Sequence, residues 1–308
     1  MLFRSAVFTY YLKDELKTKK AARREKEKAT EKAGGDTPMP GWDALRAEAR
    51  EEDPTIICTV RDAEGRVVRR VLGSVKAGFQ RVAWDLTFPT VEPGGSAPVN
   101  DEEGGRVPRG RLAPAGTYTV SLAKRVDGVL TELAGPQKFE VVDMRKGTLT
   151  GAPAGDVVAY WEQVSSLDRA MRGAIAAIAA ANVRVKAMKE ALVRSTAGDT
   201  KLDDRVRAME RKLADLDLRL NGDTEREDTF NEGGPIAIVN RLRTAQRSSA
   251  TYGPTANLRG SLDIAKQEFD VLRGNLDAVL SDELPALEKD LDAAGVPWTP
   301  GRGVGDGE

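Results

Sequence analysis

The sequence predicts an α+β chain in two parts: an antiparallel β-sandwich interrupted by a charged helical excursion, then an antiparallel α-helical bundle. Three observations carry this. From Thr55 to Met144, β-branched and aromatic residues come in short runs separated by turn residues. After about Gly155, apolar residues recur every three or four positions instead. Between the first β-prone run and the next lies a lysine-rich stretch with neither Gly nor Pro. The expected boundaries are 6–145 for the sandwich, with the excursion at 13–53, then 155–294 for the bundle and 295–308 for a Pro- and Gly-rich tail.

The run "VFTYYL", residues 7–12, reads as a strand because β-branched and aromatic side chains dominate it. From Lys13 to Lys32 there are nine Lys or Arg and five Asp or Glu, with no apolar stripe, so a solvated helix is expected. Gly34-Gly35 stops it. A short acidic helix follows in "PMPGWDALRAEAREED", with Trp42 and Leu45 as anchors. "TIICTV" and "RVVRRVLG" flank "RDAEG", a hairpin turning at Asp62 and Gly65. "GFQRVAWDL" alternates, setting Gln80, Val82 and Trp84 on one face, which makes Trp84 a core residue. A loop runs from Pro89 to Ala113. Three short strands are then expected around the turns Asp127-Gly128 and Gly135-Pro136.

The helical part opens with Val157, Trp161, Val164, Met171, Ile175, Ile178, Val185 and Leu192 along one long helix. Leu202, Val206, Met209, Leu213, Leu216 and Leu220 step by four and three along the next, ended by Asn221-Gly222. Pro235 is expected in the first turn of a shorter helix. Leu258, Leu262, Ala265, Phe269, Leu272, Leu276 and Val279 mark another long one, broken or kinked by Pro285, with Ser281 and Asp282 as caps for its continuation. Helices with single apolar stripes need one another, hence the bundle.

Composition excludes much. The 308 residues contain no histidine and one cysteine, Cys58. That removes Ser-His-Asp and Cys-His nucleophile systems, His-ligated zinc and an intrachain disulfide. Lys plus Arg is 47 against 48 for Asp plus Glu, so no global field holds a polyanion. No apolar window reaches a membrane-spanning length, and "MLFRSAVFTYY" lacks the apolar core of a leader peptide.

"TVRDAEGRVVRRVLG", "AGFQRVAWDL" and "APAGTYTVSL" together resemble the Ig-like module of flagellar hook-capping proteins and other bacterial exported proteins. With "FTYYLKDELKTKK" before them, the helical part after them and the ending "AGVPWTPGR", Ala6 to Arg302 resembles the C-terminal region of exported sortilin-like propeller proteins with Asp-box repeats, commonly labelled glycosyl hydrolases. The resemblance implies an Ig-like sandwich in which "FTYYL" and "TIICTV" are successive strands and the lysine-rich run an excursion between them. It also implies an upstream β-propeller as partner, in a secreted or periplasmic parent protein. No Asp-box (Ser-x-Asp-x-Gly-x-x-Trp) occurs here, so the chain is expected to be the downstream piece of such a protein, and propeller-borne activity carries over to no residue of it.

The candidate chemistry is thin. Lys17, Lys19, Lys20, Arg23 and Arg24 could meet phosphates, but Glu25, Glu27 and Glu31 dilute them and no aromatic platform accompanies them, so no nucleic acid is expected. "NDEEGG", residues 100–105, is oxygen-rich but lacks calcium-loop spacing, so an acidic loop is expected. Asp85, or Asp203-Asp204, could belong to a glycosidase pair, which needs two carboxyls across a cleft; among 48 Asp and Glu such coincidences are cheap. Of the tryptophans able to stack on a sugar, Trp84 and Trp161 read as core, leaving Trp298 as the one candidate surface contact. The expectation is a non-catalytic accessory region with no catalytic residue, cofactor or metal. The alternatives are part of a carbohydrate-active hydrolase and a polyanion-binding module.

Overall fold

The computed structural model describes residues 5–89, 110–142, 151–196, 200–223, 226, 234–247 and 252–303. They divide into two compact units, one of mixed sheet and helix up to residue 142 and one helical from 151 onward. The chain is thus α+β, with two antiparallel sheets and a helical second half.

In the first unit, β1 (Ala6–Leu12) pairs antiparallel with β4 (Gly78–Trp84), from Ala6 opposite Trp84 to Leu12 opposite Gly78. The other sheet contains β2 (Thr55–Arg61), β3 (Val67–Gly73), β5 (Gly116–Val126) and β6 (Val129–Val141), in the order β3-β2-β5-β6. The alternation of the strands turns one face of each sheet toward a common interior. Ile56, Cys58 and Val60 on β2 are buried there, and Trp84 from the small sheet packs on Val60, Val68 and Tyr118 from the large one. Trp84 is 1% exposed, its ring 5.5 Å from that of Tyr118 and edge-on to it. Buried aromatic polar ends need partners: Trp84 Nε1 donates to the Thr87 carbonyl at 2.9 Å, and the Tyr118 hydroxyl to the Pro114 carbonyl at 2.8 Å.

The expectation of three short strands after residue 114 is corrected. Asp127 (φ 50) and Gly128 (φ 78) do make a hairpin turn, but Gly135 and Pro136 lie inside β6. Two register irregularities, around Leu122, absorb them. Proline lacks an N–H for the ladder and survives where a strand is both bulged and at an edge, which is the position of β6.

Between β1 and β2 run α1 (Lys19–Lys32) and α2 (Trp42–Arg50). Thr18 caps α1 by accepting from the Ala21 amide. The helix closes in a Schellman motif, Gly35 N–H to the Thr30 carbonyl and Gly34 N–H to that of Glu31; Gly34, at φ 77, supplies the left-handed residue this needs. No residue of either helix is buried. Leu45 is half-covered, but Trp42 is 69% exposed and is not the anchor its sequence context suggests.

In the second unit, α3 (Ala154–Arg194) presents Tyr160, Val164, Leu167, Met171, Ala174, Ile178, Ala181, Val185 and Met188 to the core, alternating steps of four and three. Tyr160 rather than Trp161 is the buried aromatic, and its hydroxyl donates to the Ala245 carbonyl at 2.9 Å. α4 (Thr200–Asn221) buries Val206, Met209, Leu213, Leu216 and Leu220. α5 (Ile238–Ala245) begins after Ala237, so Pro235 precedes the helix instead of standing in its first turn. α6 (Ala256–Ala278), capped by Thr255, runs through a π-turn (Val279–Glu283) into α7 (Leu284–Ala293). Ser281 and Asp282 therefore sit within a continuing helix and cap nothing, and Pro285 falls in the first turn of α7. The π-turn adds one residue to the winding. Leu276, Val279, Leu284, Leu287 and Leu291 consequently stay on the buried side despite the proline. All these helices contribute to one hydrophobic core.

Candidate functional site

The sequence-derived candidates are mostly absorbed by structure. Three of the excursion's candidate cations, Lys17, Lys19 and Arg23, face acids at close range. Lys17 Nζ lies 2.5 Å from Glu25, and Lys19 Nζ 2.5 Å from Asp127 in the β5–β6 turn. Arg23 grips both oxygens of Glu48 on α2 at 2.6 and 2.8 Å and also pairs with Glu27. The hydrogen bonds to Glu48, then Glu27, push the Arg23 guanidinium above its ordinary range, and the Arg23 bond holds the Glu48 carboxyl below its own. These pairs clip α1 to α2 and to the sheet.

Asp85 belongs to a corner. Its Oδ1 accepts from the Thr87 amide (3.1 Å) and from the Thr87 hydroxyl (2.6 Å), with Leu86 at φ 59 between them. Asp203 pairs with Arg207 one helical turn on, at 2.7 Å. Asp85 and Asp203-Asp204 lie in different units, each carboxylate of the first two engaged locally. Residues 100–105 lie outside the described residues. Of the loop from Pro89 to Ala113 only the ends are described, and they pair: Phe88 N–H donates to the Arg111 carbonyl and Ala113 N–H to that of Leu86, while the Arg111 guanidinium stands 3.7 Å above the Phe88 ring. Gly110 has no room for a side chain, since a Cβ there would come 1.9 Å from the Phe88 carbonyl oxygen.

Trp298 is 58% exposed. Its indole N–H is already used, donating to the Arg302 carbonyl at 3.1 Å. The tail here is a built clasp. Gly295 (φ 70) and Val296 close α7 in a second Schellman motif, with Val296 buried. The Arg302 guanidinium, nearly inaccessible, donates to Asp292 Oδ1 and to the carbonyls of Val296 and Pro297. Sequence inspection missed Arg302, because nothing local in "TPGRG" distinguishes a clasp from a tail.

An open cleft of about 570 Å³ lies in the first unit. One wall is the stretch from Phe8 to Asp14, and the floor is the inner face of β5 and β6, with Val120, Leu122, Leu133 and Ala134, and Cys58 beside them. Among the described residues β1 pairs with β4 alone, and at its N-terminal half Phe8 packs edge-on against Phe139 of β6, ring centroids 5.4 Å apart. Val120 and Leu122 point into the interior yet are only half-buried. Burial pushes the Cys58 thiol up to about 11, which makes it a poor nucleophile. Among the described residues no three His, Cys, Asp or Glu stand together to hold a metal, and no helix is long and apolar enough to cross a membrane. No family model, curated protein or solved structure matches the chain.

Proposed function

We propose that this chain is a non-catalytic accessory region of an exported protein, in which an Ig-like sandwich and an antiparallel helical bundle support or present an upstream Asp-box β-propeller. The observation that carries the reading is how its polar chemistry is used. Arg23, Glu48, Asp85, Asp203 and Arg302 each serve a clip, corner or clasp, and the floor of the cleft beside β1 is mainly apolar. A glycosidase site would need two carboxyls facing each other across a cleft, whereas the cleft here is lined by one, Asp14. Secretion or periplasmic location, and the propeller as partner, follow from the sequence resemblance to sortilin-like proteins.

Two measurements test the reading. Sequencing the gene upstream of the Met1 codon is expected to show Asp-box repeats in frame. The purified chain is expected to turn over no member of an aryl-glycoside panel. Turnover abolished by changing one pair of carboxylates would make this an enzyme domain and end the accessory reading.

A further inference from the structure

We infer that the cleft beside β1 is an acceptor for a single extended strand from a protein partner, which would pair with the free edge of β1 and cover Val120, Leu122, Leu133 and Ala134. Four observations converge. First, β1 pairs only with β4 among the described residues, so none of them supplies a ladder partner to its other edge. Second, that edge is undefended. Natural edge strands are blunted by lysine, proline or bulges, and "AVFTYYL" contains no charge, no proline and no bulge over seven residues. Third, the space beneath is floored by β5 and β6, mainly by Val120, Leu122, Leu133 and Ala134 with Ser121 and Gln137 among them, and has the edge as its wall. Seven residues of strand span about 23 Å, the run of β1 itself.

The fourth observation concerns charge. Lys13 and Lys124 line the cleft near the Leu12 end, against one carboxylate, Asp14. Antiparallel pairing with β1 would place the partner's N-terminal end there. The structure thus specifies the occupant: an extended segment with small apolar residues at alternate positions and an acidic residue at its N-terminal end. A second copy of this chain fits less well, because its β1, "AVFTYYL", brings no acidic residue to the Lys13 and Lys124 end. A β1 strand from another molecule would also bring the β4 it is paired with, whereas a lone strand brings none. The inference goes beyond the accessory reading and does not depend on it.

The test uses the full chain, isotopically labelled, with a synthetic nonapeptide of one Glu followed by alternating Val and Thr. Addition of peptide to about 1 mM should slow amide exchange between Ala6 and Leu12 and shift the signals of Leu122 and Leu133. Replacing the central Val of the peptide by Pro should weaken binding at least about tenfold, since the ladder is interrupted. Leu133→Glu should do the same; Leu133 is 41% exposed, so the variant should fold, which the unchanged signals of Trp84 and Tyr118 would verify. Lys13→Glu with Lys124→Glu should reverse the preference toward a Lys-led peptide. Absence of change along β1 at that concentration overturns the inference, as does equal binding of the proline peptide. Shifts confined to the outward Val7, Tyr11 and Phe79 would also overturn it. So would protection of the same amides by concentration-dependent dimerisation, which would assign the edge to a second copy.

Discussion

At the scale of single residues, Trp84 and Cys58 make the first unit's energetics measurable. Trp84 fills the space between the sheets and satisfies its indole N–H on Thr87, so Trp84→Ala should cost about 3 to 5 kcal/mol in urea denaturation. Trp84→Phe should cost less, because most of the volume remains and the Thr87 carbonyl alone loses a partner. Cys58 offers a pH test. Its thiol titrates near 9.0 when exposed and is pushed up to about 11 by burial, so the fold disfavours the thiolate. Its contribution is fully present below pH 9 and is lost as pH rises from there to about 11, roughly 2 to 3 kcal/mol in all. Tyr10, also pushed up mainly by burial, adds to the same alkaline limb. Cys58→Ala should therefore flatten that limb relative to the wild type, and native Cys58 should react with aromatic disulfides far more slowly than unfolded chain. Equal alkaline slopes would show that the thiol is solvated in the fold.

At the scale of elements, the excursion and the π-turn separate what is tied from what is merely attached. Leu16 belongs to the sheet unit: it packs with Leu12 and Ile56, and its N–H donates to the Val75 carbonyl at 3.0 Å. The dispensable segment is thus 18–51, beginning after that anchor. Replacing it by a short Gly/Ser loop should change stability by about 1 kcal/mol, since no residue of α1 or α2 is fully buried and loop closure depends weakly on length. Loss of the cooperative transition in that variant would mean that the Lys19–Asp127 and Arg23–Glu48 pairs are structural in a way exposed ion pairs seldom are. For the π-turn, deleting Ser281 should be far worse than Pro285→Ala. The deletion rotates Leu284, Leu287 and Leu291 by about 100° away from the core. The substitution only restores an N–H. Thermal melts of the two variants would separate these outcomes.

At the scale of the whole molecule, each unit has its own hydrophobic core, one around Trp84 and one around the helical stripes. Calorimetry of the intact chain should therefore resolve two transitions, with Trp84→Ala lowering one and leaving the other in place. A single transition displaced as a whole by that substitution would mean that the units unfold together.

What the sequence determined by itself was whatever depends on short-range periodicity. The alternation around Val82 and Trp84, the stripe of α4 and the Gly222 stop (φ 92) are local facts, and the structure shows them as expected. Tertiary structure decided the rest, because the competing states differ only in long-range partners. Gly135-Pro136 could have ended a strand; an edge position and a bulge kept it inside β6. Pro285 could have broken a helix; one extra residue of winding kept three leucines facing the core. Trp42 had the look of an anchor and found nothing to anchor against. Above all, no local pattern in "FTYYL" says which of its edges is paired. That follows from the pairing of β1 with β4, and the cleft lies along the edge of β1 that no described strand pairs.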